Sequence, residues 1–251
     1  MALDDIRIVL VEPAHPGNVG AVARAMKTMA FTRLVLVRPN RFPSPDADRR
    51  AMGAIDILQR TQVVDDLDQA VGDCALVIGC SARSRTFPHA ELDPKRCAKQ
   101  LVEETATGES AALVFGPERT GLANQDLDRC THQVLIPANQ AFSSLNLASA
   151  AQIIFYETFV AAHEAAARAA GESAGRLGAT QDRSEPPVSQ REMEYFFGHL
   201  ERALDSRGYL EGQMREITMM KLRRLLGRSR PGSGELKLLH TLTRMIHRDG
   251  E

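Results

Sequence analysis

LVFGPERTGL, residues Leu113 to Leu122, is the stretch whose reading decides the fold. A short apolar run stops at Gly116-Pro117, and Gly121 and Leu122 open a helical pattern. The same grammar recurs twice. HPGNVGAVARAMKTM (His15 to Met29) follows the apolar run Ile6–Val11, and LIPANQAFSSLNLASAAQIIFYE (Leu135 to Glu157) passes through Pro, Asn and Ser into a long helical pattern. Strand, small-residue loop and helix start together offer backbone N–H groups to a ligand. In open α/β sheets ligands sit at the carboxyl ends of strands, so three such turns in order read as parts of one site.

Around these segments the first two-thirds of the chain alternates short Val/Ile/Leu runs with helical patterns. The strand candidates are Ile6–Val11, Leu34–Val37, Ala75–Gly79, Ala112–Phe115 and Val134–Ile136. Uninterrupted apolar runs of this length suit parallel strands covered on both faces. The expected class is α/β, a mostly parallel sheet with helices on both faces. Residues 1–166 form this domain, and the small, polar run with Pro186 and Pro187 makes 167–188 a flexible linker. Residues 189–251 form a small all-α domain. Ser189 and Glu192 have capping-box spacing. Met193, Phe197, Leu200 and Leu204 form one buried stripe, and Leu236, Leu239, Leu242 and Ile246 another. Phe196 and Phe197 point about 100° apart on a helix, which suggests one for the local core and one for a partner.

Composition narrows the classes. The 251 residues are 43% hydrophobic, enough for a normal core, and carry a net charge of −1. No apolar run approaches the ~20 residues of a membrane span. Two acids precede the first apolar stretch, against a secretory signal. Cys74, Cys80, Cys97 and Cys130 lack paired metal spacing and read as reduced thiols of a cytoplasmic protein. His15, His89 and His132 are scattered, so no metal is expected. From Gln213 to Arg248 nine basic residues face two acids. That imbalance predicts a phosphate-binding surface carried by Lys221, Arg223, Arg224, Arg228 and Arg230, against the plainer reading of a solvated face.

Each candidate site residue has two readings. Gly17 and Gly20 flank Asn18 where strand gives way to helix, and Arg24 lies one turn after Gly20. A glycine below an arginine leaves room for a ligand, but a helix start with a surface arginine looks the same. The dinucleotide fingerprint G-x-G-x-x-G is absent, which disfavours a nucleotide-linked oxidoreductase. Glu118 is either a helix-start acid or a holder of a polar ligand atom. Ser143, Ser144 and Asn146 fill a turn before a long helix and are either caps or ligand contacts.

Taken together, the three segments resemble the motifs of the SPOUT class of S-adenosylmethionine-dependent RNA methyltransferases, in the branch that methylates ribose 2′-hydroxyls in tRNA. GCSARSRT (Gly79 to Thr86) reads as a further matching segment. The resemblance spans residues 3 to about 160, and the tail is similar to that of the enzymes acting on cytidine or uridine at nucleotide 32 of the anticodon loop. It implies a trefoil knot at the end of the α/β domain, which periodicity does not show. It implies S-adenosyl-L-methionine as cofactor, held by Cys80, Ser81, Ala82, Gly116, Ile136 and the run Ser143, Ser144, Leu145, Asn146, Leu147 and Ala148. It implies catalytic roles for Arg24, Asn18, Ser144, Glu118 and Asn146, a tRNA partner and a homodimer, with neither metal nor membrane. Pro117 and Phe142 depart from the family pattern. The competing functions are the same transfer at another tRNA or rRNA position and a non-catalytic RNA-binding module.

Overall fold

The computed structural model describes residues 2–81, 90–139, 141, 144–171, 187–210 and 213–248. In the first unit, seven strands form one sheet in the order β3-β2-β1-β6-β4-β7-β5. They are β1 (Ile6–Val11), β2 (Arg33–Val37), β3 (Gln62–Val64), β4 (Leu76–Ser81), β5 (Ala90–Leu92), β6 (Ala111–Phe115) and β7 (His132–Leu135). Every pairing is parallel. The five strands expected from apolar runs are present, within a residue or two at their ends. β3 and β5 were not expected. Each has only three residues and sits at a sheet edge, so neither carries an apolar run.

Both faces of the sheet are buried, and the side-chain alternation sorts them. Ile6, Ile8 and Leu10 of β1 join one core with Leu34, Leu36, Leu76, Ile78, Leu113 and Phe115. Val9 and Val11 join the other with Val35, Val37, Val77, Ala112 and Val114. Period-two geometry fed from an unbroken apolar run produces this division. The first core is covered by α1 (Pro16–Thr28), α5 (Pro94–Ala106) and α7 (Leu147–Gly171), the second by α4 (Leu67–Val71) and α6 (Asn124–Leu127). Phe155 of α7 anchors the first core, with ring centroids 4.8 Å from Phe31 and 6.2 Å from Phe115.

α7 continues to Gly171, five residues into the expected linker. The run AAARAAG is rich in alanine, the strongest helix former, so the small residues that suggested a linker extend the helix instead. The described residues divide into two compact units, one reaching through α7 and the other beginning by Pro187. The Arg83–Thr86 part of the further matching segment lies outside the described residues, as does Ala82.

Among the described residues the second unit is three helices, α8 (Gln190–Asp205), α9 (Gln213–Ser229) and α10 (Ser233–Arg248). The Ser189–Glu192 capping box is formed. Val188, Met193, Phe196, Phe197, Leu200, Leu210, Met219 and Leu236 make its core. Two expectations fail here. Phe196 and Phe197 are both buried. Phe196 rests edge-on against His240 of α10, and Phe197 lies 4.7 Å under the Arg223 guanidinium of α9, so each ring meets a different helix. Leu242 is exposed, while Thr243 is buried with its hydroxyl donating to the Leu239 carbonyl.

α1 packs closely on α2 (Pro45–Ala51). A Cβ added at Gly20 would lie 2.0 Å from the Ala47 carbonyl oxygen. Gly20 therefore serves helix–helix contact rather than ligand access. Gly20→Ala should destabilise the fold by about 1–3 kcal/mol, the range of overpacking a tight contact. Urea unfolding checks this; an unchanged midpoint would contradict the packing role.

Candidate active site

β1 and β6 are adjacent, but their following segments leave in opposite directions. β1 leads to α1, whose Val19 and Val22 join the first core. β6 leads to a loop and α6, whose Leu122 and Leu127 join the second. Such divergence opens a crevice at the carboxyl ends of the strands. Next to β6, β4 and β7 end in register with it: Cys80 stands beside both Phe115 and Val134, and Ser81 beside Leu135.

Glu118 bridges the crevice. Its carboxylate accepts from the backbone N–H of Ala14 at 2.9 Å and of His15 at 3.3 Å, and from the Asn18 amide at 2.8 Å. His15 is the N-cap of α1 and makes no side-chain cap bond; its own backbone N–H is taken by Glu118, about one hundred positions later. The Asn18 carbonyl oxygen accepts from the Asn146 amide at 3.3 Å, and the Asn146 carbonyl oxygen accepts from the Ala148 N–H at 2.9 Å, capping α7. One hydrogen-bonded chain thus runs through all three motif segments. Partial burial works against the charged carboxylate, but the bonds from Asn18, Ala14 and His15 outweigh it and hold Glu118 below its ordinary 4.5.

Beside this chain lies a cavity of about 160 Å³ at the ends of β4, β6 and β7. Of the residues expected to hold a cofactor, Cys80, Ser81, Gly116, Ile136, Ser144, Leu145 and Leu147 line it. Asn146 turns instead to Asn18. Ala148 faces a different depression. Ala82, Ser143 and Phe142 lie outside the described residues. Gly116 is required by shape: a Cβ there would come within 2.2 Å of the Leu122 nitrogen, because the loop folds back with the Gly121 N–H donating to the Pro117 carbonyl. Gly121 supports that fold at a φ of 67°. The returning loop adds Arg119 and Thr120 to the wall, two residues that the sequence reading passed over. Their signal was the span from Gly116 to Gly121, which forces a loop over the strand end. Burial pushes the Cys80 thiol up to about 12, so it is a neutral apolar wall.

Arg24 does not reach this cavity. It is exposed, donates to the Met52 sulfur at 3.3 Å and lines a depression of about 420 Å³ between α1 and α7, with Ala21, Ala25, Ala148 and Ser149. Ser144 and Glu118 line the cavity, whereas Asn18 and Asn146 stand between the two hollows in the chain of bonds.

In the second unit the expected phosphate-binding cations divide. Lys221 and Arg228 are exposed. Arg223 is mostly buried, paired with Glu194 and stacked over Phe197, which makes it part of the core. Arg224 and Arg230 are half-buried. Among the described residues no group of three or more His, Cys, Asp or Glu is arranged to hold a metal, and no helix is long and apolar enough to cross a membrane.

Comparison with known proteins covers both units. Residues 5–156 match the SpoU rRNA Methylase family, and residues 191–250 match the C-terminal domain of the tRNA methyltransferase TrmJ. The tRNA (cytidine/uridine-2′-O-)-methyltransferase TrmJ of Salmonella typhimurium is 45% identical, over 99% of this chain and 99% of that protein. The tRNA (cytidine/uridine/adenosine-2′-O-)-methyltransferase TrmJ of Pseudomonas aeruginosa is 43% identical, over 94% and 91%. The crystal structure of TrmJ from Z. mobilis superposes with a TM-score of 0.80 at 31% identity, covering 96% of this chain and 99% of that one.

The Glu118 carboxylate gives a pH test. Its folded-state pKa is depressed, so its contribution to stability is complete above 4.5 and is lost as pH falls through the lower folded value. Urea midpoints of the wild type and Glu118→Gln should therefore differ at neutral pH and converge on acidification below 4.5. A difference independent of pH would contradict the assignment.

Proposed function

Because the chain belongs to the SpoU rRNA methylase family, and its tail to the TrmJ C-terminal domain, we propose that it methylates a ribose 2′-hydroxyl of tRNA using S-adenosyl-L-methionine. The observation that carries this reading is the chain Glu118–Asn18–Asn146, which joins the three motif segments beside one cavity. The target is cytidine or uridine at nucleotide 32 of the anticodon loop, and the protein acts in the cytoplasm.

The cavity suits the cofactor chemically. Phe115, Ile136, Leu145 and Leu147 give apolar walls, Ser81, Thr120 and Ser144 give polar points, and Gly116 lets the returning loop close the wall. When bound, the cofactor supplies an already activated methyl group. The protein's own task is to place a 2′-oxygen in line and lower the cost of its developing charge. Arg24 meets the ribose-phosphate and stabilises that charge; a guanidinium, which keeps its proton in ordinary surroundings, suits this role better than that of a base. Asn18, fixed by Glu118, and Ser144 orient the ribose. Asn146 holds the start of α7. Glu118 acts through Asn18 as a positioning residue.

Arg24 points out of the cavity into a depression lined with small residues, and α7 leaves Ile153 and Tyr156 exposed nearby. The working form is a homodimer in which a second copy of the chain covers this depression. The insertion of β7 between β4 and β5 supports the trefoil knot of the class.

Incubation with unmodified tRNA and labelled cofactor should yield a 2′-O-methylnucleoside at position 32. Base methylation, or no transfer, would overturn the reading. Arg24→Ala should lower turnover by ~10² or more while cofactor affinity hardly changes. Loss of cofactor affinity with turnover intact would remove Arg24 from the reacting ribose. Solution scattering should report a dimer; a fully active monomer would contradict the assembly.

A further inference from the structure

The basic residues first expected to meet RNA lie on α9 or, for Arg230, just after it, but the cations of α8 and α10 that make no ion pair among the described residues define a different face. On α8, Arg191, Tyr195 and Arg202 recur over three turns and share one side of the helix. On α10, Lys237, His240 and Arg244 do the same at i, i+3 and i+7. The two rows meet where the Tyr195 ring lies 5.9 Å from the His240 ring.

The acids of these helices are engaged elsewhere. Glu192 is in the capping box, Glu194 pairs with Arg223, and Glu201 and Asp205 both pair with Arg215. Glu235, the acid of α10, accepts from the Gly232 N–H. Arg191, Arg202, Lys237 and Arg244 are all exposed, and none is in an ion pair among the described residues. Intrahelical and interhelical pairing thus removes the negative charge from this face and leaves its positive charge in water.

Its centre is aromatic and held in place. His240 stacks on His199 at 5.4 Å, with Nδ1 to Nδ1 at 3.1 Å, and receives the edge of buried Phe196 at 5.3 Å. Beside this fixed ring Tyr195 is 72% exposed. An exposed aromatic ring braced from below and flanked by free cations has the chemistry of a platform for an unpaired base with its phosphates. Duplex RNA offers phosphates but no free base face, so the aromatic centre distinguishes the two.

We propose that the α8/α10 face binds a single-stranded stretch of RNA, with a base stacked on Tyr195 and phosphates on Arg191, Arg202, Lys237 and Arg244. This rests on the tRNA reading above, and names the surface and the kind of RNA segment the tail takes. It assigns that role to a face other than the α9 cations Lys221 and Arg228.

The test uses the full-length chain and unmodified tRNA, with binding measured across a salt series. Tyr195→Ala should weaken binding on the order of 10-fold, the effect of losing one stacked base, and Tyr195→Phe should bind as wild type. Arg202→Ala and Lys237→Ala should each flatten the salt slope by about 0.7–0.9. An unpaired oligoribonucleotide should compete with tRNA on the wild type and lose that ability on Tyr195→Ala, while duplex competition stays the same. The proposal is overturned if Tyr195→Ala binds as wild type, or if Tyr195→Phe loses as much as alanine. It is also overturned if Lys221→Ala/Arg228→Ala abolishes binding while the Arg202 and Lys237 variants keep it. Failure of the wild type to bind tRNA at all would remove the tRNA reading itself, an outcome separate from an indifferent Tyr195.

Discussion

The Glu118 carboxylate holds the catalytic unit's loops in register. It leaves the end of β6, crosses the crevice between two diverging connections and accepts from two backbone N–H groups and an amide at the start of α1. α1 begins at Pro16, and Glu118 takes the backbone N–H groups of Ala14 and His15 just ahead of it together with the Asn18 side-chain amide in its first turn. Those three bonds fix the distance between the first and second motif segments. Once the Asn18 amide donates to Glu118, its carbonyl oxygen is turned toward Asn146, which in turn caps α7. A single anion therefore sets the orientation of a side chain two bonds away on a third segment.

Shape reinforces the electrostatics. Gly116 lets the loop fold back onto the strand end, and that return places Glu118 at the crevice and Arg119 and Thr120 on the cavity wall. Gly20, by contrast, lets α2 approach α1 and takes no part in the cavity. Two glycines of one motif type thus serve unlike ends, one a loop closure and the other a helix contact. Arg24, one turn beyond Gly20, is left facing outward between α1 and α7.

Much of this was legible in the chain. Short Val/Ile/Leu-rich runs such as IVLV (Ile8–Val11) foretold a parallel sheet covered on both faces, because successive side chains of a strand must be buried on opposite sides. Gly116, Ile136, Ser144 and Leu145 were placed together by strand-end logic and family resemblance, and they share one cavity. β3 and β5 escaped notice because three-residue edge strands bury too little to leave a pattern. The bond from Glu118 to Asn18 was illegible for another reason: no local rule links residues a hundred positions apart. Charge counting along α9 could not show that Arg223 is drawn into the core by Glu194 and Phe197, a partnership visible only once α8 and α9 are packed.

Glu118 and Asn146 form no hydrogen bond with each other, so coupling between them must pass through Asn18. A double-mutant cycle on methyl transfer with Glu118→Gln, Asn146→Ala and the double variant measures that coupling. If the chain of bonds unites the three segments, the double variant should lose markedly less than the sum of the two single losses in log rate. In an Asn18→Ala background the two losses should become additive. Strict additivity in the wild-type background would contradict the account, leaving Glu118 as a brace of the segment before α1 and Asn146 as the cap of α7, each independent of the other.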